Sequence, residues 1–101
     1  MIKGIGTDIV EHSRINLKIS RKILTKKEML IFEQHHNKIE FLASRFCLKE
    51  AIIKATNKKY KFSEIEIFND ENGAIKTNLE NIMISIAHEH NYSIAFCIWE
   101  E

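Results

Sequence analysis

The stretch Arg45-Phe46-Cys47-Leu48-Lys49-Glu50-Ala51-Ile52-Ile53-Lys54-Ala55, led in by Phe41-Leu42-Ala43-Ser44, constrains this chain more than any other. It is rich in helix formers and has no Gly or Pro, which predicts one long helix. On a helical wheel Phe41, Leu42, Phe46, Leu48, Ile52 and Ile53 share one broad apolar arc. Arg45 and Lys49 fall inside that arc. Glu50 and Lys54 sit one turn apart at its edge, with the small residues Ala43, Cys47, Ala51 and Ala55 beyond them. Two readings follow. Charges among small residues let an anion come close. Alternatively, Arg45 and Lys49 snorkel, and Glu50 with Lys54 is a surface i,i+4 pair worth about 0.3–0.5 kcal/mol.

A chain of 101 residues leaves room for one core, so residues 1–101 are expected to form a single domain. Hydrophobic residues make up 45% and charged residues 29%, the balance of a soluble globular protein. No apolar run approaches the roughly 20 residues of a membrane span, and the N-terminus carries no signal-peptide pattern. Cys47 and Cys97 lie on separate apolar elements and are expected to be buried free thiols of a cytoplasmic protein. The net charge of +1 hides an uneven distribution. Arg14, Lys18, Arg21, Lys22, Lys26 and Lys27 occupy residues 13–27 without an acidic residue, whereas Glu64 to Glu80 is mostly acidic.

Ile2 to Val10 reads as a strand, with Ile5, Thr7 and Ile9 on one face and Gly4, Gly6, Asp8 and Val10 on the other. Aspartate is disfavoured in strands, and strand glycines mark close approach of a ligand or another backbone. Asp8 is therefore either functional or a cap for a helix starting near Glu11. Residues 11–24 read as a short helix and loop, and Thr25-Lys26-Lys27-Glu28 is a capping box opening a helix to about Gln34. Phe62 to Phe68 alternates as a half-exposed strand, and Asn69-Asp70-Glu71-Asn72-Gly73 turns it back onto Ala74 to Thr77. Ile82 to Ala87 and Tyr92 to Trp99 form a second hairpin whose two faces both look covered, as in central strands. The expected fold class is α+β, with helices on one face of a mainly antiparallel sheet.

Zinc is poorly supported, because five histidines and two cysteines include neither a Cys-x-x-Cys nor a His-Glu-x-x-His. The carboxylates Asp8 and Glu50 suit magnesium better, since that ion is held by one or two carboxylates, waters and substrate phosphates. With Lys54, Arg45 and Lys49 nearby on the helix, the arrangement suits a metal-bridged pyrophosphate. No glycine loop of the phosphate-cradling type is present.

Three blocks occur in order: Gly4-Ile5-Gly6-Thr7-Asp8-Ile9-Val10-Glu11 with Arg14; Arg45-Phe46-x-x-Lys49-Glu50-Ala51-x-x-Lys54-Ala55; and Ile86-Ala87-His88-x-x-x-Tyr92-x-x-Ala95. With these the chain resembles the bacterial holo-acyl-carrier-protein synthases, the small trimeric class of phosphopantetheinyl transferases, from residue 2 to about 99. The resemblance implies the 4'-phosphopantetheinyl transferase fold and transfer of 4'-phosphopantetheine from coenzyme A to a serine of acyl carrier protein, in support of fatty acid and lipid synthesis. It implies catalytic roles for Asp8, Glu50 and Lys54, with Asp8 and Glu50 holding magnesium. Coenzyme A contacts would come from Arg45, Lys49, Lys54, Gly73 and His88, and carrier docking from Arg14, Lys18, Arg21 and Lys22. It also implies a homotrimer with sites between subunits, which would account for charges inside an apolar helix face. The chain departs from the family pattern in four places. The segment after Arg14 is short, Thr56-Asn57 replaces a glycine, Ala87 and Glu89 flank His88, and no proline follows Gly73.

Two other readings stand beside this one. The first is a noncatalytic module that binds nucleic acid through residues 13–27 and Lys58-Lys59-x-Lys61, although aromatics do not interleave with those cations. The second is an inactive member of the same family. Neither nucleic acid nor membrane is expected as a partner.

Overall fold

A computed structural model describes residues 1–101. The long helix is α3, Lys38–Thr56, preceded by strand β1 (Ile2–Glu11), a short helical turn α1 (Ser20–Ile23) and helix α2 (Lys26–Gln34). Strands β2 (Ile67–Asn69), β3 (Ile75–Thr77), β4 (Ile82–His88) and β5 (Tyr92–Glu100) follow. The strands divide into an antiparallel three-stranded sheet, β1-β5-β4, and a separate hairpin, β2-β3. The α+β expectation holds.

Helix α3 lies across the larger sheet, and glycine sets how close it comes. A Cβ built on Gly4 would lie 1.8 Å from the Ala55 carbonyl oxygen, and one on Gly6 would lie 2.0 Å from that of Ala51. The two strand glycines therefore admit another backbone. Cys47, Ala51 and Ala55, the small residues of α3, are buried in the same core cluster as Ala95 and Cys97 of β5. They accept the sheet, not an anion. Phe41 and Leu42 enter a second cluster with Ile23, Leu24 and Phe32.

The capping box forms as expected: Thr25 N–H donates to Glu28 Oε1 at 2.8 Å, and Glu28 N–H to Thr25 Oγ1 at 3.2 Å. Asp8 is not a helix cap, because β1 continues through it to Glu11. Phe62–Glu64 is a 3-10 turn where the alternation predicts strand. Asn78 explains this, since its side chain bonds the Glu66 N–H and the Glu64 carbonyl, groups that a longer ladder would need.

Only one face of the second hairpin is covered, against the expectation of two. Ser93, Ala95 and Cys97 of β5 face the helix layer, and the larger Tyr92, Ile94 and Phe96 point away from it. Ile5 and Ile9 of β1 and Met83 of β4 lie on this same open face, each paired with or next to a β5 residue of that set. The face is apolar and exposed: Ile9 61%, Ile5 58%, Met83 54%, Phe96 46%.

Candidate active site

Because β1 runs so close under α3, the carboxylate of Asp8 meets the helix one turn after Glu50. Lys54 Nζ donates to Asp8 Oδ1 at 3.2 Å and to the Thr7 carbonyl at 3.1 Å. Cys47 Sγ donates to the Asp8 carbonyl at 3.0 Å and fixes the strand from the helix side. Glu50 is partly buried next to this pair. Desolvation raises its pKa, the Asp8 charge raises it further, and Lys54 acts in the opposite direction. Two carboxylates that repel each other and share one ammonium form a site with an unmet demand for positive charge. That donor set fits a magnesium ion held by protein through two carboxylates, the rest of its shell being water and phosphate. Side chains supply no further acid or thiolate, as no group of three or more His, Cys, Asp or Glu is poised around one metal position.

Lys49 does not join this cluster. It is fully buried, and Nζ donates to Glu28 Oε1 at 2.5 Å, the Ile23 carbonyl at 2.7 Å and the Phe62 carbonyl at 3.1 Å. Its three protons are all used. The expectation that Lys49 contacts coenzyme A is corrected by this geometry: the ammonium holds α1, α2 and the 62–64 turn to α3. Glu28 is equally occupied, accepting from Lys49, Thr25 N–H and, at 2.9 Å, Ile67 N–H. Removing one partner of such a pair costs on the order of 3–5 kcal/mol. Burial lowers the Lys49 pKa and its contacts with Glu28 offset this.

Arg45, one turn earlier, is also buried, with its guanidinium 4.2 Å from the centre of the Phe41 ring. Its Nη1 donates to Ser44 Oγ at 3.3 Å, and its buried Nε has no partner. Burial lowers its pKa and Glu28 opposes the shift. Lys49 needs no second subunit to explain it, whereas Arg45 keeps one buried N–H without a partner in the chain.

His88 ends β4 and lines a cavity of about 360 Å³ with Ile9, Ala87, Glu89, Tyr92 and Ile94. Its Nδ1 lies 3.2 Å from Glu40 Oε2 on the first turn of α3. Gly73 stands apart, in the β2-β3 turn, where its φ of 82° suits glycine. Arg14, Lys18, Arg21 and Lys22 are exposed along two 3-10 turns, His12–Arg14 and Leu17–Ile19, and α1. Sequence reasoning missed Glu28 as the partner of Lys49, and Glu40. A lysine inside an apolar arc demands a buried acid, and the capping-box glutamate was the available one.

The carboxylate pair and the lysine one turn on lie on the α3 side of the sheet, whereas the cavity beside His88 is lined by Ile9, Tyr92 and Ile94 of the open sheet face. Residues 4–97 match the model of the 4'-phosphopantetheinyl transferase superfamily. The chain belongs to this family. It is 34% identical, over 123 aligned positions covering 98% of each chain, to the holo-[acyl-carrier-protein] synthase of Escherichia coli K12. Its fold is similar to that of the holo-(acyl-carrier-protein) synthase from Bacillus anthracis in complex with CoA (3',5'-ADP), with a TM-score of 0.90, 32% identity and 97% and 96% of the two chains covered. The holo-[acyl-carrier-protein] synthase of Neisseria meningitidis superposes with a TM-score of 0.91 at 29% identity, over the full length of both chains. Within the family fold, Asp8, Glu50 and Lys54 come from the two elements whose mutual approach the glycines permit.

Proposed function

We propose that this chain is a holo-acyl-carrier-protein synthase, transferring 4'-phosphopantetheine from coenzyme A to a serine of apo-acyl carrier protein. The observation that carries the reading is the convergence of Asp8, Glu50 and Lys54 in a chain that matches the family from residue 4 to 97. In this reaction the serine oxygen attacks the phosphorus next to the pantetheine arm. The bond from that phosphorus to the bridging oxygen breaks, and adenosine 3',5'-bisphosphate leaves with the electron pair. Asp8 and Glu50 would hold magnesium, which supplies charge neutralisation for the pyrophosphate. Lys54 is half-exposed and swings from Asp8 to the reacting phosphate, where its ammonium stabilises charge moving onto the leaving group. Arg45 is assigned to another phosphate through its guanidinium, and His88 to the nucleotide end. Gly73 is retained only as a weaker coenzyme A contact, since its turn lies outside the cluster.

Carrier docking falls to Arg14, Lys18, Arg21 and Lys22, an exposed row of cations that favours an acidic partner and makes its binding salt-sensitive. A homotrimer is supported by the open face of the β1-β5-β4 sheet, since a contiguous apolar surface of this kind marks an interface. Operation in the cytoplasm accords with two unpaired thiols, and service to fatty acid synthesis follows from the acyl carrier protein as substrate. No helix is long and apolar enough to cross a membrane.

The test is direct. The protein is incubated with coenzyme A, magnesium and apo-acyl carrier protein, and the carrier is weighed by mass spectrometry. The added arm should appear, and should be lost with EDTA and with Asp8→Ala or Glu50→Ala. An unmodified carrier under all conditions would refute the reading and leave an inactive family member.

A further inference from the structure

The geometry points to Glu40 as a positioning residue for His88: its carboxylate engages the ring at Nδ1 and reserves Nε2 for the nucleotide end of the substrate. This inference rests on the nucleotide role of His88 proposed above. Glu40 is itself well held. It lies on the first turn of α3, its N–H donates to Asn37 Oδ1 at 3.1 Å, and the free N–H groups of that turn favour a carboxylate there. His88 has no such framework. It is the last residue of β4, at the start of the turn into β5, and its side chain is 43% exposed. The 3.2 Å contact with Glu40 Oε2 therefore ties a ring at the end of a strand to a carboxylate carried on the first turn of α3.

The chemical consequence concerns the second nitrogen. A ring whose Nδ1–H donates to a carboxylate has its tautomer and its plane fixed by that bond. Nε2 is then the one ring nitrogen left for a ligand. It donates to a phosphate oxygen when the ring is charged, with Glu40 balancing that charge, and accepts from a hydroxyl or amine when the ring is neutral. The cavity beside the ring is lined by Ile9, Ala87 and Ile94 with Glu89 and Tyr92; the Tyr92 hydroxyl is taken up by Glu11 Oε2 at 3.0 Å, and Glu40 is the group in contact with the ring.

The test uses the full chain and adenosine 3',5'-bisphosphate, the nucleotide product, with affinity read by calorimetry and the ring nitrogens read by ¹⁵N NMR. Glu40→Ala should weaken the bisphosphate about tenfold or more, the scale of one hydrogen bond to a charged group. It should also move the neutral His88 ring from the Nδ1–H to the Nε2–H form. Glu40→Gln keeps an acceptor at the same reach and should recover part of the affinity. His88→Ala is the reference. If it leaves affinity unchanged, the nucleotide role of His88 fails and this inference falls with it. If His88→Ala weakens binding while Glu40→Ala binds and resonates like the wild type, the role of Glu40 alone is overturned.

Discussion

Lys54 Nζ lies 3.2 Å from Asp8 Oδ1, so the lysine proposed to serve the reacting phosphate is held by a carboxylate proposed to bind metal. The helix places Glu50 one turn from Lys54, yet the ammonium bonds across to the strand. Under the proposed function this makes Lys54 a competitor of the metal for Asp8 as well as a participant in transfer.

The two roles separate experimentally. Lys54→Ala should slow transfer on the order of 10²-fold or more at saturating substrates, the cost of losing an oriented charge stabiliser. Binding of manganese, measured by calorimetry without coenzyme A, should be as tight as in the wild type or tighter, because Asp8 has lost its resident cation. Weaker manganese binding in the variant would place Lys54 in support of the metal site and against the competition.

Glu50 gives a pH dependence with a defined sign. Burial first, and Asp8 second, raise its pKa above the ordinary carboxylate value of 4.5. The folded protein therefore holds this proton more tightly than the unfolded chain. Its contribution to stability is fully present below 4.5 and is lost as pH rises through the raised pKa. Metal affinity runs the other way, since the ligand must be deprotonated. Manganese titrations at stepped pH should show affinity falling with acid at a pH above 4.5, and Glu50→Gln should flatten that dependence.

Gly6→Ala tests the approach of β1 to α3. Its Cβ would lie 2.0 Å from the Ala51 carbonyl oxygen, and backbone on both sides leaves no flexible atom to yield. The strand must shift, at a cost on the order of 1–3 kcal/mol or more. Urea denaturation should report that loss. Transfer should fall even in the fraction that remains folded, because the same shift moves Asp8 away from Glu50 and Lys54. A folded Gly6→Ala protein with wild-type turnover would show that the close approach serves packing alone.

The open sheet face predicts assembly. Ile94 and Phe96 lie at 45% and 46% exposure in the single chain, side by side with Ile9 and Thr7 of β1. Ile94→Asp and Phe96→Glu should each shift the protein from trimer to monomer in light scattering while leaving its circular dichroism unchanged. A wild-type monomer at working concentrations would remove the trimer from the proposal.

Local chemistry made part of this molecule legible in its sequence. Thr25 and Glu28 announce the start of α2 because a capping box is closed within four residues. Asp8 stands out because an acid beside glycines is a poor strand former. Long-range pairings were not legible. Lys49 looks like a ligand contact until Glu28, 21 residues away, is seen to hold it. The hairpin strands were read as covered on both sides because both faces of β5 are free of charge before Glu100; burial alone shows which face meets α3. The strand predicted across residues 62–66 failed because Asn78, far along the chain, takes the polar groups that a ladder would use. The meeting of Asp8 with Lys54, 46 residues on, depends on two strand glycines, which periodicity cannot register.

The buried Lys49–Glu28 pair also bears on how this chain opens. An ammonium leaves water at an acceptable cost only when its acceptors are assembled together, and those of Lys49 come from residues 23, 28 and 62. Glu28 in turn binds the amides of Thr25 and Ile67. Loss of any one strand of this knot leaves a charge without shelter, so the segment from residue 23 to 67 opens cooperatively instead of fraying from α2 or β2. The Thr25 and Ile67 amides, 42 positions apart in sequence, are then set to exchange their hydrogens through one shared opening event.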